Sequence, residues 1–138
     1  ERAGVGMSEW LLSRALPEPD ARLMALVRRA EESESHAAWA EIIELLQKLR
    51  SVDFLATVGQ LEPSGLSRFT SNYLAALVEM TAARLGLPPP AWTRAVEPLP
   101  TPWFGTRLRR LREHLLVHAP VSFRRRNIFV DAGVGDRV

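Results

Sequence analysis

The chain has 138 residues, of which 46% are hydrophobic and 25% are charged, and it contains no cysteine. This length and composition are typical of one globular domain with a substantial core, and they exclude a disulfide framework and thiolate chemistry. No apolar run approaches the roughly 18 residues of a membrane span, so we expect no membrane partner. We expect a cytoplasmic protein without a signal peptide and, since Glu1 is not an initiator methionine, further residues before it in a longer chain.

Charge is unevenly distributed along the chain, although the formal net charge is only +2. Residues 1–100 contain ten Lys/Arg and thirteen Asp/Glu, whereas residues 101–138 contain eight Arg and three Asp/Glu. A basic end on an acidic body indicates an anionic partner, either nucleic acid or an acidic protein surface. The alternative is that these arginines pair with acidic residues of the same chain.

Residues 1–86 are predicted to form a helical body. Ser8 can cap a first helix that stops at Pro17, and Asp20 can cap a second helix with a regular apolar stripe. The stripe consists of Leu23, Met24, Val27 and Ala30. The strongest helical pattern comes next, with apolar residues at three- and four-residue steps. These residues are Trp39, Ile42, Ile43, Leu46 and Leu49.

The second part of the body is predicted to contain a short and a long helix. The stretch VDFLATVGQL permits a strand, but we favour a short helix that ends near Gly59. A long helix is expected from about Ser64 to Leu85, because Gly86 suits the position after a helix and Pro88 prevents its continuation. The expected core includes Trp39, Ile42, Leu46 and Leu77.

Residues 87–103 are predicted to form a proline-rich strap, with six prolines between Pro88 and Pro102. Such a segment is stiff and lacks backbone donors. Because a loose linker would leave Trp92, Trp103 and Phe104 in water, we expect aromatic rings to hold the strap on the body. Binding of the prolines to an aromatic groove of a partner is the alternative.

Residues 104–138 are predicted to belong to the same domain, as a basic helix followed by a C-terminal arm. In the helix, Leu108, Leu111 and Leu115 are expected to face inward, and Pro120 ends it. Its arginines are expected to face largely outward and are the candidate contacts for nucleic acid. They are Arg107, Arg109, Arg110 and Arg112.

The arm contains the unusual stretch FRRRNIFVDAG. NIFV predicts a short strand, with Phe123 and Phe129 as buried anchors. An unpaired buried guanidinium is prohibitive, so the arginines must project outward or meet carboxylates. We assign this segment to a partner-binding surface and expect replacement of Arg124 and Arg126 to leave stability nearly unchanged. The predicted partner-binding residues are Arg124, Arg125, Arg126, Asn127, Asp131 and Trp103.

No residue pattern indicates catalysis or metal binding. The serines lack a G-x-S-x-G setting, and the chain has no Walker loop, no GxGxxG and no paired-carboxylate signature. His114 and His118 are spaced like a pair of metal ligands on one helix face. However, EHLLVH is not the HExxH order, and no cysteine or acidic cluster supplies a third ligand. We therefore predict a protein that is not an enzyme and that holds no metal or cofactor.

Two stretches resemble known bacterial families. Residues 2–16, RAGVGMSEWLLSRAL, resemble the closing helix of ribbon-helix-helix repressors, which implies that residues 1–16 are the remnant of a DNA-binding domain. An ordinary first helix of the bundle is the alternative. Residues 87–133, with PPPAWTRAV, PWF and APVSFRRRNIFVDAG, resemble the end of uncharacterised, often actinobacterial proteins in which a helix-turn-helix precedes a helical domain. Those proteins resemble antitoxin-type regulators, some encoded beside a nucleotidyltransferase.

Together, these features predict a mainly α fold: a bundle of five to six helices with a proline-rich strap and a short C-terminal extended segment. The expected function is that of an antitoxin-like or regulatory protein–protein interaction module that neutralises a toxin enzyme. The alternative is a nucleic-acid-binding transcriptional regulator that uses the C-terminal arginines. The modest net charge and the acidic body favour the first. Candidate partners are a toxin protein, DNA and a second copy of the chain.

Overall fold

The computed structural model describes residues 18–33 and 36–131, and these form a mainly helical fold. The helices are α1 (Pro19–Ser33), α2 (His36–Gln47), α3 (Ser51–Val58), α4 (Arg68–Leu85), α5 (Ala91–Ala95), α6 (Arg109–His118) and α7 (Val121–Arg124). Two short strands are β1 (Trp103–Phe104), between α5 and α6, and β2 (Ile128–Phe129), after α7. The predicted helical class is confirmed. The described residues contain seven helices rather than five or six, because the strap and the arm each form one short helix.

The apolar stripes of α1 and α2 pack against each other, as their spacing predicts. α1 buries Leu23, Met24, Val27 and Ala30, and α2 buries Ala38, Ile42, Ile43 and Leu46. Trp39, which was predicted in the core, is partly buried at its edge. Asp20 lies in the first turn of α1, not before it, because the helix begins at Pro19, a residue well suited to the first helical position. The predicted helix with Ser8 as its cap lies outside the described residues.

The helix α4 forms the centre of the fold and is capped at both ends. It begins at Arg68, later than predicted. Ser67 caps it, because its hydroxyl accepts a hydrogen bond from the Thr70 N–H at 3.1 Å. At its other end, Gly86 has φ 71°, and the Leu87 N–H donates to the Ala82 carbonyl at 2.9 Å. This is the glycine-terminated helix end that the sequence predicts. The favoured short helix before it is also present, as α3, and it ends before Gly59.

The proline-rich strap is ordered against the helical body. The Trp92 indole N–H donates to the Val58 carbonyl at 2.6 Å, and the Asn72 amide donates to the Glu97 carbonyl at 2.8 Å.

Among the described residues, no helix is long and apolar enough to cross a membrane.

The strap and the arm meet in a two-stranded parallel sheet. Trp103 of β1 lies opposite Ile128 of β2, and the Gly105 N–H donates to the Phe129 carbonyl at 2.9 Å. A Cβ atom at Gly105 would lie 3.3 Å from the Val130 side chain, so the two segments approach closely there. Parallel strands need a crossover, and the chain between them forms α6 and α7. The predicted C-terminal strand is thus confirmed, with the strap as its partner.

Candidate partner-binding surface

The arginine run lies on α7 and the turn that follows it. α7 begins after Pro120, and Phe123 is fully buried with its ring 5.1 Å from that of Tyr73 on α4. Asn127 has φ 64°, in the left-handed region that asparagine tolerates better than most residues, and leads the chain into β2. Because successive residues of a helical turn point about 100° apart, the three arginines lie in three different environments.

Arg126 points into the fold, and only 5% of it is exposed. Its Nη2 donates to Oε2 of Glu79 at 2.9 Å and to the Thr93 carbonyl at 2.7 Å. Its Nη1 donates to Oδ1 of Asn72 at 2.9 Å and to the Val96 carbonyl at 3.3 Å. The assignment of Arg126 to a partner-binding surface is therefore corrected. Glu79 supplies the carboxylate that a buried guanidinium requires, and the pair joins α4, the strap and the arm.

Arg125 and Arg124 remain accessible. Arg125 Nη2 lies 3.0 Å from Oε1 of Glu79, but 63% of its side chain is exposed. Arg124 is exposed, and its Nη1 donates to the Val117 carbonyl at 3.4 Å. Both can contact a partner, although Arg125 would share its charge with the internal ion pair.

Asn127 and Asp131 complete the predicted set on the arm. The Asn127 amide donates to the Leu99 carbonyl at 2.7 Å, and its own carbonyl accepts the Trp103 N–H at 2.8 Å. Asn127 thus fixes the strap to the arm and is half-buried. Asp131 is exposed at the end of the described residues.

An open groove of about 880 Å³ lies beside β1 and the N-terminal end of α6. Its lining includes His36, Trp103, Phe104, Arg107 and Arg112. Trp103 is 41% exposed, and the guanidinium carbon of Arg112 lies 5.2 Å from the centre of the Phe104 ring. The fold therefore brings together Trp103, predicted to bind a protein, and two arginines predicted to bind nucleic acid.

The helix α6 is largely exposed and buries a single residue, Leu115. Leu115 packs with Ala119 and Phe129 in a small cluster at the C-terminal end of the helix. Leu108 and Leu111, which were predicted to face inward, are 52% and 42% exposed. The prediction is wrong for these two because the one buried side chain of the helix, Leu115, lies in its C-terminal half, and the apolar stripe continues beyond that buried contact.

The outer part of α6, by which we mean the exposed side chains on this helix and at Leu108 just before it, combines apolar and basic residues. Leu116 and Val117 are 46% and 66% exposed, and Arg109 and Arg110 are exposed on the same helix. The first turn carries no acidic residue, and the residue before it, Leu108, makes no side-chain capping bond. The positive end of the helix dipole and the arginines therefore reinforce one another, which favours an anionic neighbour.

Among residues 18–33 and 36–131, two titratable groups have a shifted pKa, and neither lines the groove. Partial burial raises the pKa of Glu31, but hydrogen bonds from the Ser67 N–H and from the hydroxyls of Thr70 and Ser67 lower it more, so the net direction is down. Burial raises the pKa of Tyr73, whose ring lies 4.7 Å from Trp39 and 5.5 Å from Phe69. Both groups act within the fold, between packed elements.

The rings of His114 and His118 are 4.3 Å apart on α6. No group of three His, Cys, Asp or Glu side chains within residues 18–33 and 36–131 could hold a metal ion. The absence of metal binding and of catalysis stays a prediction.

Comparisons with protein-family models, curated proteins and solved structures found no match to this chain.

Sequence reasoning missed two contributors to these sites. His36 joins the groove from the start of α2, far away in the chain, and no local pattern announces this. Glu79 had a signal: Asn72 and Glu79 are seven residues apart, so they share one face of a helix that is otherwise rich in buried apolar residues. Two polar side chains on a buried face require a polar partner, which Arg126 provides.

Proposed function

We propose that this chain is a protein-interaction module whose contact surface is the outer part of α6 together with the adjoining groove. The observation that carries the proposal is the exposure of Leu108, just before α6, and of Leu111, Leu116 and Val117 on it, among arginines of the same segment. Several large apolar side chains that remain in water on one helical segment are typical of a surface that a partner covers. The partner has apolar side chains surrounded by carboxylates, because this composition complements leucines flanked by arginines.

A regulatory, antitoxin-like role is consistent with such a surface. The resemblance of residues 87–133 to antitoxin-type regulators covers the strap, α6 and the arm, which are the segments that form and support the surface. We therefore infer that the partner is a protein encoded by a neighbouring gene, with a toxin enzyme as the leading class. A second copy of this chain is the other protein that could cover α6.

Nucleic acid is the second candidate, and the groove is the observation that favours it. An exposed indole beside Arg107 and Arg112 offers a stacking surface and phosphate contacts, as single-strand-binding sites do. The exposed leucines and valine of α6 have no role in phosphate contacts, and this makes a protein partner the better fit.

The test is a binding titration of the protein encoded by the adjacent gene, at two salt concentrations, with single-stranded DNA as the alternative ligand. We expect the double variant Leu108→Ser/Leu111→Ser to weaken protein binding at least tenfold, which is about 1.4 kcal/mol. The matched control is Val52→Ser/Leu55→Ser on α3, whose side chains are also exposed but lie outside the proposed surface. This control should bind as the unchanged protein does.

Two results would contradict the proposal. One is equal weakening by the α6 variant and the α3 control. The other is binding of DNA but not of the neighbour-encoded protein, with a logarithmic salt slope of about −3, as four arginine–phosphate contacts would give. Self-association that only the α6 variant abolishes would identify the partner as a second copy.

A further inference from the structure

A second, smaller cavity lies on another part of the fold, between α4, the strap and the arm. Its volume is about 250 Å³, and its lining includes Glu79, Arg94, Arg125 and Arg126. Three guanidinium groups and one carboxylate thus border one cavity. Its volume is below the roughly 300 Å³ at which sites for drug-sized molecules begin, so a ligand here is a small group.

The single carboxylate is fully engaged by the internal ion pairs. Oε2 of Glu79 accepts from Arg126 at 2.9 Å, and Oε1 accepts from Arg125 at 3.0 Å. The exposed side chain of Arg94 has no hydrogen-bond or ion-pair partner among the described residues. Glu79 balances one of the three positive charges, and two remain at the cavity without a counter-charge from its lining.

Arg126 supplies a second observation. Four hydrogen bonds engage its two terminal nitrogens, but its buried Nε atom has no hydrogen-bond partner among the described residues. A buried donor without a partner is costly. Arg126 lines the cavity together with Arg94 and Arg125, so its positive charge contributes to the electrostatic potential there.

We propose that this cavity binds a phosphate group. Arginine presents planar pairs of donors that match the oxygens of phosphate, and these contacts strengthen where water is partly excluded. Arg94 and Arg125 contact the anion from the exposed side, and the buried guanidinium of Arg126 adds its positive charge to the lining. The site is separate from the α6 surface, because the two share no lining residue. Phosphate bound in this cavity would make the contact between the strap and the arm more rigid.

The experiment is a titration with inorganic phosphate, followed by isothermal calorimetry, at an ionic strength held constant with potassium chloride. O-phosphoserine forms a second arm, to distinguish a free anion from the phosphate of a modified side chain. We expect saturable binding of phosphate and at least tenfold weaker binding by Arg94→Gln. Because the Arg94 side chain has no partner within the described residues, this variant should fold normally, and its melting temperature in phosphate-free buffer checks that it does.

The matched control is Arg28→Gln, an exposed arginine on α1 that does not line the cavity. It should bind phosphate as the unchanged protein does. Phosphoserine binding equal to that of phosphate would support a site open to phosphorylated side chains, and binding of phosphate alone would support a site for the free anion. Absence of saturable binding, or equal weakening by Arg28→Gln and Arg94→Gln, overturns the proposal without affecting the proposed role of α6.

Discussion

Adjacent arginines on the arm have opposite roles, and a pair of single substitutions would separate them. Arg126→Ala would leave Glu79 buried with one remaining partner and remove four hydrogen bonds. We expect a loss of about 3–5 kcal/mol in the free energy of unfolding, the usual cost of breaking a buried ion pair from one side. Arg124→Ala should change it by less than about 0.5 kcal/mol, because that side chain is exposed.

Urea unfolding of the two variants measures both values. Equal stability of the two would contradict the structure at this position. The result also bears on the sequence-based expectation that both arginines could be replaced without cost. That expectation correctly required a carboxylate for any buried guanidinium, but three identical residues in a row contain no information on which one turns inward.

At the scale of elements, the carboxylate of Glu31 joins the end of α1 to the start of α4. Its Oε1 accepts the Ser67 N–H at 2.7 Å. The pKa of Glu31 is lowered from 4.5 in the folded state, so the carboxylate contributes stability above that value. The contribution disappears as the pH falls through the lowered folded pKa, because the protonated group is a weaker acceptor.

We therefore expect Glu31→Gln to be less stable than the unchanged protein at pH 7, and by a smaller margin at pH 3. The measurement is the free energy of unfolding in urea at the two pH values. The control is Glu32→Gln, a change at an exposed neighbour on the same helix. The difference in the free energy of unfolding between this variant and the unchanged protein should be the same at pH 7 and at pH 3. A stability difference for Glu31→Gln that persists unchanged at pH 3 would contradict the electrostatic explanation.

The sequence predicted the helices that have a regular apolar stripe and the side chains that lie on it. It did not determine whether a stripe is buried, because burial depends on contacts with distant residues. α1 and α2 bury the side chains that their spacing selects, and Gly86 ends α4 as its lack of a side chain allows. The periodicity of α6 gave the correct stripe but not its exposure. Burial of Leu108 and Leu111 depends on what lies opposite them in three dimensions, and a local pattern does not contain that.

For the whole molecule, the structure predicts a gradient of stability between its centre and α6. α4 is packed on several sides and buries ten of its eighteen residues, whereas α6 buries one of ten. Amide protection follows local burial, so the amides of α6 should exchange much faster than those of α4. Hydrogen exchange measured by mass spectrometry at several protein concentrations tests this. Equal protection of the two helices at low concentration would contradict it, and protection of α6 that rises with concentration would indicate a second copy.

The overall class was predictable because composition, helical periodicity and proline placement agree along the chain. The packing of the strap and the arm against each other and against α4 was not predictable, since it depends on contacts between residues far apart in sequence. Pairing of β1 with β2 and of Asn72 with Arg126 joins segments whose local patterns are independent. The candidate site could not be predicted for the same reason. The sequence assigned Trp103 to protein binding and Arg112 to nucleic-acid binding, and the fold brings both into one groove.

The ion pair between Glu79 and Arg126 also has a consequence for biosynthesis. The two residues are 47 positions apart, so the ribosome adds Glu79 well before the arginine that neutralises it. Until the arm has been made, α4 exposes a carboxylate and the aromatic face on which Phe123 later packs. Domains generally fold as units while synthesis proceeds from the N-terminal end. Before the arm is made, the nascent chain therefore lacks the guanidinium partner of Glu79 and the ring that covers Tyr73, and a chaperone that recognises apolar surface would be able to bind at that stage.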